Sequence, residues 1–406
     1  MWRHVKSGAW LTRERVRAYP LILLAISVAA TVVWIALADD LIDRNGKPIG
    51  TDFSSVWAAG TLVLDGEPAA PYDLERQHEA ESRAFGGREV PLFGWHYPPT
   101  FLVVAAALAL LPYGWALAAW MALTLPAYLL VIRRIVPRPE TLLVALAFPA
   151  VYVNLAHGQN GFLSAALLGG SLLILDQRPK LAGVLIGLLA YKPQFGVLIP
   201  LVLIATGRWT VIAAAAATVL ITCAATLAVF GPQAWLAFGE SLTFVRVVVL
   251  EGGDIGWQKI QSLFTAVMMW GGKVEIAYTA QIALALGVAT SLVWLWRRPA
   301  AYELKAAGLA CASLLATPYV LDYDLVVLAV AIAFFVRYGL EHGFRDYEIS
   351  LLAFVWTTPL VARNLAGTIG LPLGLAAMLT LYALILRRAA IDDAVAAPRA
   401  HGLAHA

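Results

Sequence analysis

Long apolar stretches alternate with short polar joints along nearly the whole chain. Read as membrane helices, they predict twelve spans, at about 20–38, 113–132, 141–156, 162–175, 181–191, 195–206, 210–230, 274–296, 304–317, 325–336, 349–361 and 371–386. Many approach the roughly 17–25 residues that a helix needs to cross a bilayer. A spanning segment must satisfy its own backbone hydrogen bonds, so helices are expected, and the alternating pattern of a barrel strand is absent. The run 101–111 is apolar but short, and Pro112 ends it. It reads as a half-helix lying at or dipping into one face. Two long interruptions stand out: a polar, aromatic and proline-rich region within 39–112, and a second loop at 231–273. The expected architecture is one all-α polytopic domain over 1–388, followed by a disordered cytoplasmic tail at 389–406.

Composition agrees with this pattern. Hydrophobic residues make up 61% of 406 and charged residues 14%, against roughly 25% charged in soluble domains. Mean hydropathy is +0.75. Cys223 and Cys311 both lie inside apolar runs and read as packing residues rather than a disulfide or metal pair. No zinc spacing, Walker loop or Rossmann fingerprint is present. No cofactor and no nucleic-acid partner is expected.

The placement of the small net charge of +3 matters more than its size. Lys and Arg accumulate in cytoplasmic loops. Arg3, Lys6, Arg13, Arg15 and Arg17 put the N-terminus inside. The same side then receives Arg133, Arg134, Arg138, Arg178, Lys180, Arg208, Arg297, Arg298, Lys305, Arg337, Arg345, Arg387 and Arg388. Counting 101–111 as a full span would put most of these arginines outside. Ala36-Leu37-Ala38 resembles a signal-peptidase site, but the preceding run is long for a secretory segment. The expected location is the inner (plasma) membrane, multi-pass, with the polar regions extracytoplasmic.

With that topology the helix-breaking polar motifs sort to one face. They are Thr51-Asp52-Phe53, Trp95-His96-Tyr97-Pro98-Pro99, His157-Gly158-Gln159-Asn160-Gly161, Tyr191-Lys192-Pro193-Gln194, Thr317-Pro318-Tyr319 through Asp322-Tyr323-Asp324, and Arg363-Asn364. Unwound backbone at membrane depth is tolerated where it lines a cavity, and ionisable residues there are costly and tied to function. Each motif has a plainer reading: Asp52 as a helix N-cap, Lys192 snorkelling to the interface, His96 and His157 as structural hydrogen bonders, Gln159 and Asn160 as helix-end caps, Asp322 and Asp324 as a capped turn. Their joint occurrence on one face argues for a site.

A transferase outside the membrane has no ATP and needs an activated donor delivered on a lipid, such as a polyprenyl-phosphate sugar. The leaving lipid phosphate calls for cationic groups, with Lys192, Arg246, Lys259 and Arg363 as candidates. The acceptor hydroxyl needs a general base within reach, and one carboxylate suffices for direct displacement with inversion. Asp52, near the outer end of the first span, fits that role.

At these residues the chain resembles the family 87 glycosyltransferases of the multi-span GT-C class. The resemblance rests on Asp52-Phe53, Trp57-Ala58-Ala59-Gly60, Gly66-Glu67-Pro68-Ala69, Pro71-Tyr72-Asp73, Tyr97-Pro98-Pro99, Gly158-Gln159-Asn160-Gly161, Lys192-Pro193-Gln194 and Asp322-Tyr323-Asp324-Leu325, in order across about 20–340. It implies a GT-C fold with a large first outer loop. It also implies inverting transfer of a hexose, mannose in characterised members, from a polyprenyl-phosphate donor to a lipid-linked or glycan acceptor. Asp52 would be the base, and Lys192 would face the donor phosphate. His96, Tyr97, Gln159, Asn160, Gln194, Tyr319, Asp322 and Asp324 are the expected substrate-binding residues. Tyr319 stands where some members carry histidine. No metal is implied, with Asp322 and Asp324 as the fallback pair.

Three rivals remain: a transporter or lipid flippase, a related oligosaccharide ligase or arabinosyl-type transferase, and a scaffold subunit. A transporter predicts internal repeats and charges spread through the spans; no clear repeat is present and the charges crowd one face.

Overall fold

Apolar runs in this chain become helices, and Pro and Gly break or end several of them. The computed structural model describes residues 2–402, with side chains through Asp392. It is all-helical, with no strands among the described residues. Among the described residues six helices are long and apolar enough to cross a membrane: Arg13–Ala36, Tyr113–Ile135, Trp209–Glu251, Val274–Arg297, Asp322–His342 and Leu373–Asp392. The pair Glu348–Leu360 and Ala362–Ile369, bent by 71°, makes a seventh if counted as one span.

The expected count of twelve differs because hydropathy finds apolar runs without measuring their continuity. The run 141–156 splits at Phe148-Pro149 into Thr141–Leu146 and Pro149–His157. Around Lys192-Pro193 the chain makes two 3-10 turns, Leu189–Tyr191 and Pro193–Gly196, between Pro179–Leu188 and Leu198–Ala205. Proline's missing N–H and fixed φ end the helix at such points.

Both expected loops carry helices. Within 39–112 lie Phe53–Leu64, Leu74–Arg83 and Pro99–Ala109. Phe53–Leu64 packs along Pro99–Ala109 so closely that a Cβ on Gly60 would sit 2.1 Å from the Ala105 carbonyl oxygen. The second loop begins inside a helix: Trp209–Phe244 kinks at Gly231 (φ 74°), just before Pro232, and a π-helical turn continues it through Val245–Glu251.

Asp322–His342 is the central helix, with 78% of its apolar window buried. Arg13–Ala36 and Trp209–Glu251 lie at the periphery, with 6% and 11% buried, and present apolar side chains outward. At the far end of the central helix, Arg388 reaches Glu348 at 2.9 Å and Asp392 at 2.8 Å, while Arg345 and Tyr338 also bond Asp392. The Lys6 carbonyl accepts from Tyr347 N at 2.7 Å, fastening the N-terminal helix to the same end. The last helix runs on to Gly402, so 389–402 of the expected disordered tail is helical; residues 403–406 lie outside the described residues.

Candidate active site

Asp52 follows a turn at Gly50 (φ 74°) and immediately precedes Phe53–Leu64. It occupies the N-cap position, yet its side chain makes no capping bond. The carboxylate is held from elsewhere: Thr51 Oγ1 donates to Oδ1 at 3.2 Å and Gln159 Nε2 donates to Oδ2 at 2.8 Å. The nearby helix N-terminus also favours negative charge there.

Gln159 is buried and set by its own chain. Gly158 ends Pro149–His157 in the left-handed conformation (φ 62°). The Gln159 carbonyl accepts from Asn154 Nδ2 at 2.9 Å, and Asn154 Oδ1 accepts from Gly161 N at 2.9 Å. Two donors, Tyr97 OH at 3.0 Å and Asn160 N at 3.1 Å, converge on Gln159 Oε1. The Asn160 N–H can only donate, so it meets the amide oxygen and the NH₂ faces Asp52. Tyr97 is braced by Tyr72 OH, which donates to its carbonyl at 2.9 Å, and by rings of Trp95, Phe101 and Tyr191.

Lys192 and Asp324 form a buried ion pair at 2.7 Å, their side chains 4% and 1% exposed. The other Asp324 oxygen accepts from Leu321 N at 3.1 Å. The Lys192 ammonium also lies 5.5 Å from the Phe195 ring and 5.2 Å from the Tyr323 ring, a cation–π setting. Asp322 accepts from Tyr323 N at 2.9 Å and from Arg363 Nη1 at 3.4 Å. His157 Nδ1 donates to the Val153 carbonyl at 2.8 Å, leaving Nε2 as acceptor 3.5 Å from Arg363. The bend between Glu348–Leu360 and Ala362–Ile369 thus delivers Arg363 to the site.

These groups share one cavity of about 480 Å³. Asp52, His96, Tyr97, Gln159, Lys192, Gln194, Lys259, Tyr319, Asp322 and Asp324 all line it, from segments separated by up to 272 residues of sequence (324 − 52). Its lining also includes the apolar side chains Leu92, Phe238, Leu242, Phe244 and Val249. A shallower groove of about 750 Å³ elsewhere, lined by Leu286, Trp294, Leu386 and Arg387, gathers no comparable set of polar groups.

Three expected residues, Arg363, Arg246 and Asn160, do not line the cavity; Arg363 reaches it only through its contact with Asp322. Arg246 is exposed and sits 3.8 Å from Glu251; its helix turns it away. Asn160 is buried behind Gln159 and contributes its backbone N–H to Gln159. Among the described residues no group of three or more His, Cys, Asp or Glu is placed to hold a metal ion, and Asp324 is already engaged by Lys192.

Burial pushes His96 down to about 4, against the opposing pull of Asp52, so its imidazole is neutral at pH 7. Burial, followed by the nearby Arg363, lowers the Lys259 pKa, while Asp52 and Asp322 oppose that shift. Lys259 carries no ion pair among the described residues. Nor does Lys47, a cavity-lining residue that sequence reasoning missed. Asp43 accepts from the Asn45 and Lys47 amides at 2.8 and 2.9 Å, shaping the turn that presents Lys47. The available signal was a lone cation within Gly46-Lys47-Pro48, a few residues before Asp52.

Residues 95–318, more than half of the chain, match the family model of glycosyltransferase family 87. The chain belongs to glycosyltransferase family 87. It is therefore a transferase enzyme, using a sugar donor and an acceptor. No curated protein and no solved structure matches it. The matched span holds Tyr97, Gln159, Lys192 and Lys259; Asp52, Asp322 and Asp324 lie outside it and meet those residues only through the fold of this family 87 chain.

Proposed function

We propose that this glycosyltransferase moves a hexose, mannose by the resemblance, from a polyprenyl-phosphate sugar to a lipid-linked or glycan acceptor on the extracytoplasmic face, with inversion. The observation that carries this reading is the Asp52 carboxylate. It is free of helix capping, oriented by Gln159, and lines a cavity together with cations and apolar side chains.

In this mechanism Asp52 takes the proton of the acceptor hydroxyl as its oxygen attacks the anomeric carbon. The bond from that carbon to the donor phosphate breaks, and the lipid phosphate leaves with one more negative charge. Lys259 and Lys47, the lining cations with no ion pair among the described residues, take up that charge. Lys192 lines the same cavity, but its ammonium is already paired with Asp324, so it acts as a fixed, partly neutralised cation. The apolar lining residues suit the isoprenoid end of the donor.

The test is label transfer. Purified protein is reconstituted in lipid with a panel of radiolabelled polyprenyl-phosphate sugars and a membrane lipid extract. Wild type transfers label without an ion gradient. Asp52→Asn binds donor but loses about 10²–10⁴-fold in turnover, the typical contribution of a positioned base. Wild-type turnover by Asp52→Asn refutes the base, and gradient-dependent lipid movement without transfer points to a flippase.

A further inference from the structure

The helix Leu74–Arg83 reads as a solvated surface helix, yet Glu81 on it is 0% exposed. No Lys or Arg pairs with it among the described residues. Its oxygens share one donor, the Phe93 amide, at 3.2 and 3.0 Å. One turn earlier, Gln77 is equally buried. Its Nε2 donates to the Ser55 carbonyl at 2.9 Å, and its Oε1 has no donor. Between them His78 Nε2 donates to the Val90 carbonyl at 2.6 Å. One helix face therefore grips the stretch at 90 and 93 and the helix Phe53–Leu64 at Ser55. That stretch forms the cavity wall through Leu92, Phe93 and His96, while the Ser55 hydroxyl bonds the Asp52 carbonyl at 2.9 Å.

We propose that Glu81 is a neutral carboxylic acid whose hydroxyl satisfies Gln77 Oε1, and that it is a positioning residue locking the His96 wall to the Asp52 helix. The role in turnover rests on this cavity being the site of transfer; the protonation state and the clamp do not. A buried acceptor without a donor is costly, and a proton on Glu81 supplies the donor. A buried, unpaired carboxylate is costlier still. The charged groups in reach are unfavourable to ionisation as well: burial first and then Asp52 push Glu81 up to about 9, opposed by the Phe93 amide and Gln77. Tyr113 also faces it, but its hydroxyl is committed to the Ile49 and Gly50 carbonyls at 2.6 and 3.1 Å. A neutral Glu81 avoids a second negative charge beside Asp52.

The full chain, Glu81→Gln and Glu81→Ala test this. The glutamine can accept from Phe93 and donate to Gln77. Infrared difference spectra of wild type against Glu81→Gln at pH 7 show loss of a protonated carboxyl C=O stretch; loss of carboxylate bands instead overturns the proposal. Because the folded pKa is raised, the folded state binds the extra proton and wild-type stability falls as pH rises from the ordinary carboxyl range to about 9. Glu81→Gln removes that dependence, so its thermal advantage over wild type grows from pH 5 to pH 8; a constant difference overturns the proposal. Hydrogen exchange at amides 90–96 stays protected in Glu81→Gln and speeds up in Glu81→Ala; equal protection in all three overturns the clamp. Where wild type transfers label, Glu81→Gln stays within about twofold, while Glu81→Ala drops by about tenfold or more, as misplacement of a site by an ångström does. Should wild type transfer nothing, the transferase chemistry proposed above fails, and the spectroscopic and exchange results still decide Glu81.

Discussion

Removing one member of the Lys192–Asp324 pair should cost far more than the pair itself contributes. The two charges lie 2.7 Å apart and are almost fully enclosed. At an effective dielectric of 20 their attraction is about 6 kcal/mol, and desolvation of both ions offsets most of it. Lys192→Met leaves Asp324 buried with only the Leu321 amide as partner, a loss of about 3–5 kcal/mol. Thermal unfolding in detergent should then shift down by about 5 °C or more. Asp324→Leu alone should do the same. The double variant, with the charges replaced by apolar groups of similar volume, should return to within about 1 kcal/mol of wild type. Transfer should nevertheless stay low in the double variant, because Lys192 also lines the cavity. Wild-type unfolding by Lys192→Met refutes the buried pair, and recovery of transfer in the double variant refutes any contact between Lys192 and the donor.

Two further predictions concern the cavity's poles. Lys259→Ala should raise the KM for donor by about 10-fold or more, the scale of a charge-assisted hydrogen bond; donor titration checks it. Because burial and Arg363 lower the Lys259 pKa, its positive charge is lost at a lower pH than that of an ordinary lysine. Donor affinity should therefore decline early on the alkaline side, and Lys259→Arg should extend the plateau. Gln159→Leu removes the 2.8 Å donor to Asp52 and should lower kcat by about 10–100-fold with donor affinity retained; an effect on donor KM alone would return Gln159 to a substrate-binding role.

Much of the site was legible because a polar residue at a helix break is costly in so apolar a chain and marks a cavity or a bound group. Asp52, His96, Gln159, Lys192 and Asp324 all stood at such breaks, and all line one cavity. The pairings were not legible. Nothing in the spacing tells that Lys192 is matched to Asp324, 132 residues away, or that Gln159 holds the carboxylate rather than standing free. Arg246 failed for a related reason: an apolar helix face looks the same whether it meets lipid or a cavity, so its cation could not be assigned to a side. Glu81 was invisible because Leu74–Arg83 is rich in charge, and only tertiary packing buries the face holding Gln77, Ala80 and Glu81. Helix count suffered from the same limit, since an apolar run states what it avoids and not how far it continues.

The positions of these groups follow from one constraint. Away from water, every backbone N–H and C=O released from a helix needs another partner. Gly50, Gly158, Pro193 and Gly256 each release backbone beside a cavity residue: Asp52, Gln159, Lys192 and Lys259. The side chains recruited to satisfy that backbone, such as Asn154 for Gln159 and Asp324 for Leu321, hold the reactive groups at the same time. The far end of the central helix is built the opposite way, with Arg388, Glu348, Asp392, Arg345 and Tyr338 bonded to one another. At the cavity, Lys47 and Lys259 carry no ion pair among the described residues, and a phosphate would complete them. Under the reaction proposed above, Lys47 and Lys259 are the cavity cations left to meet the donor phosphate.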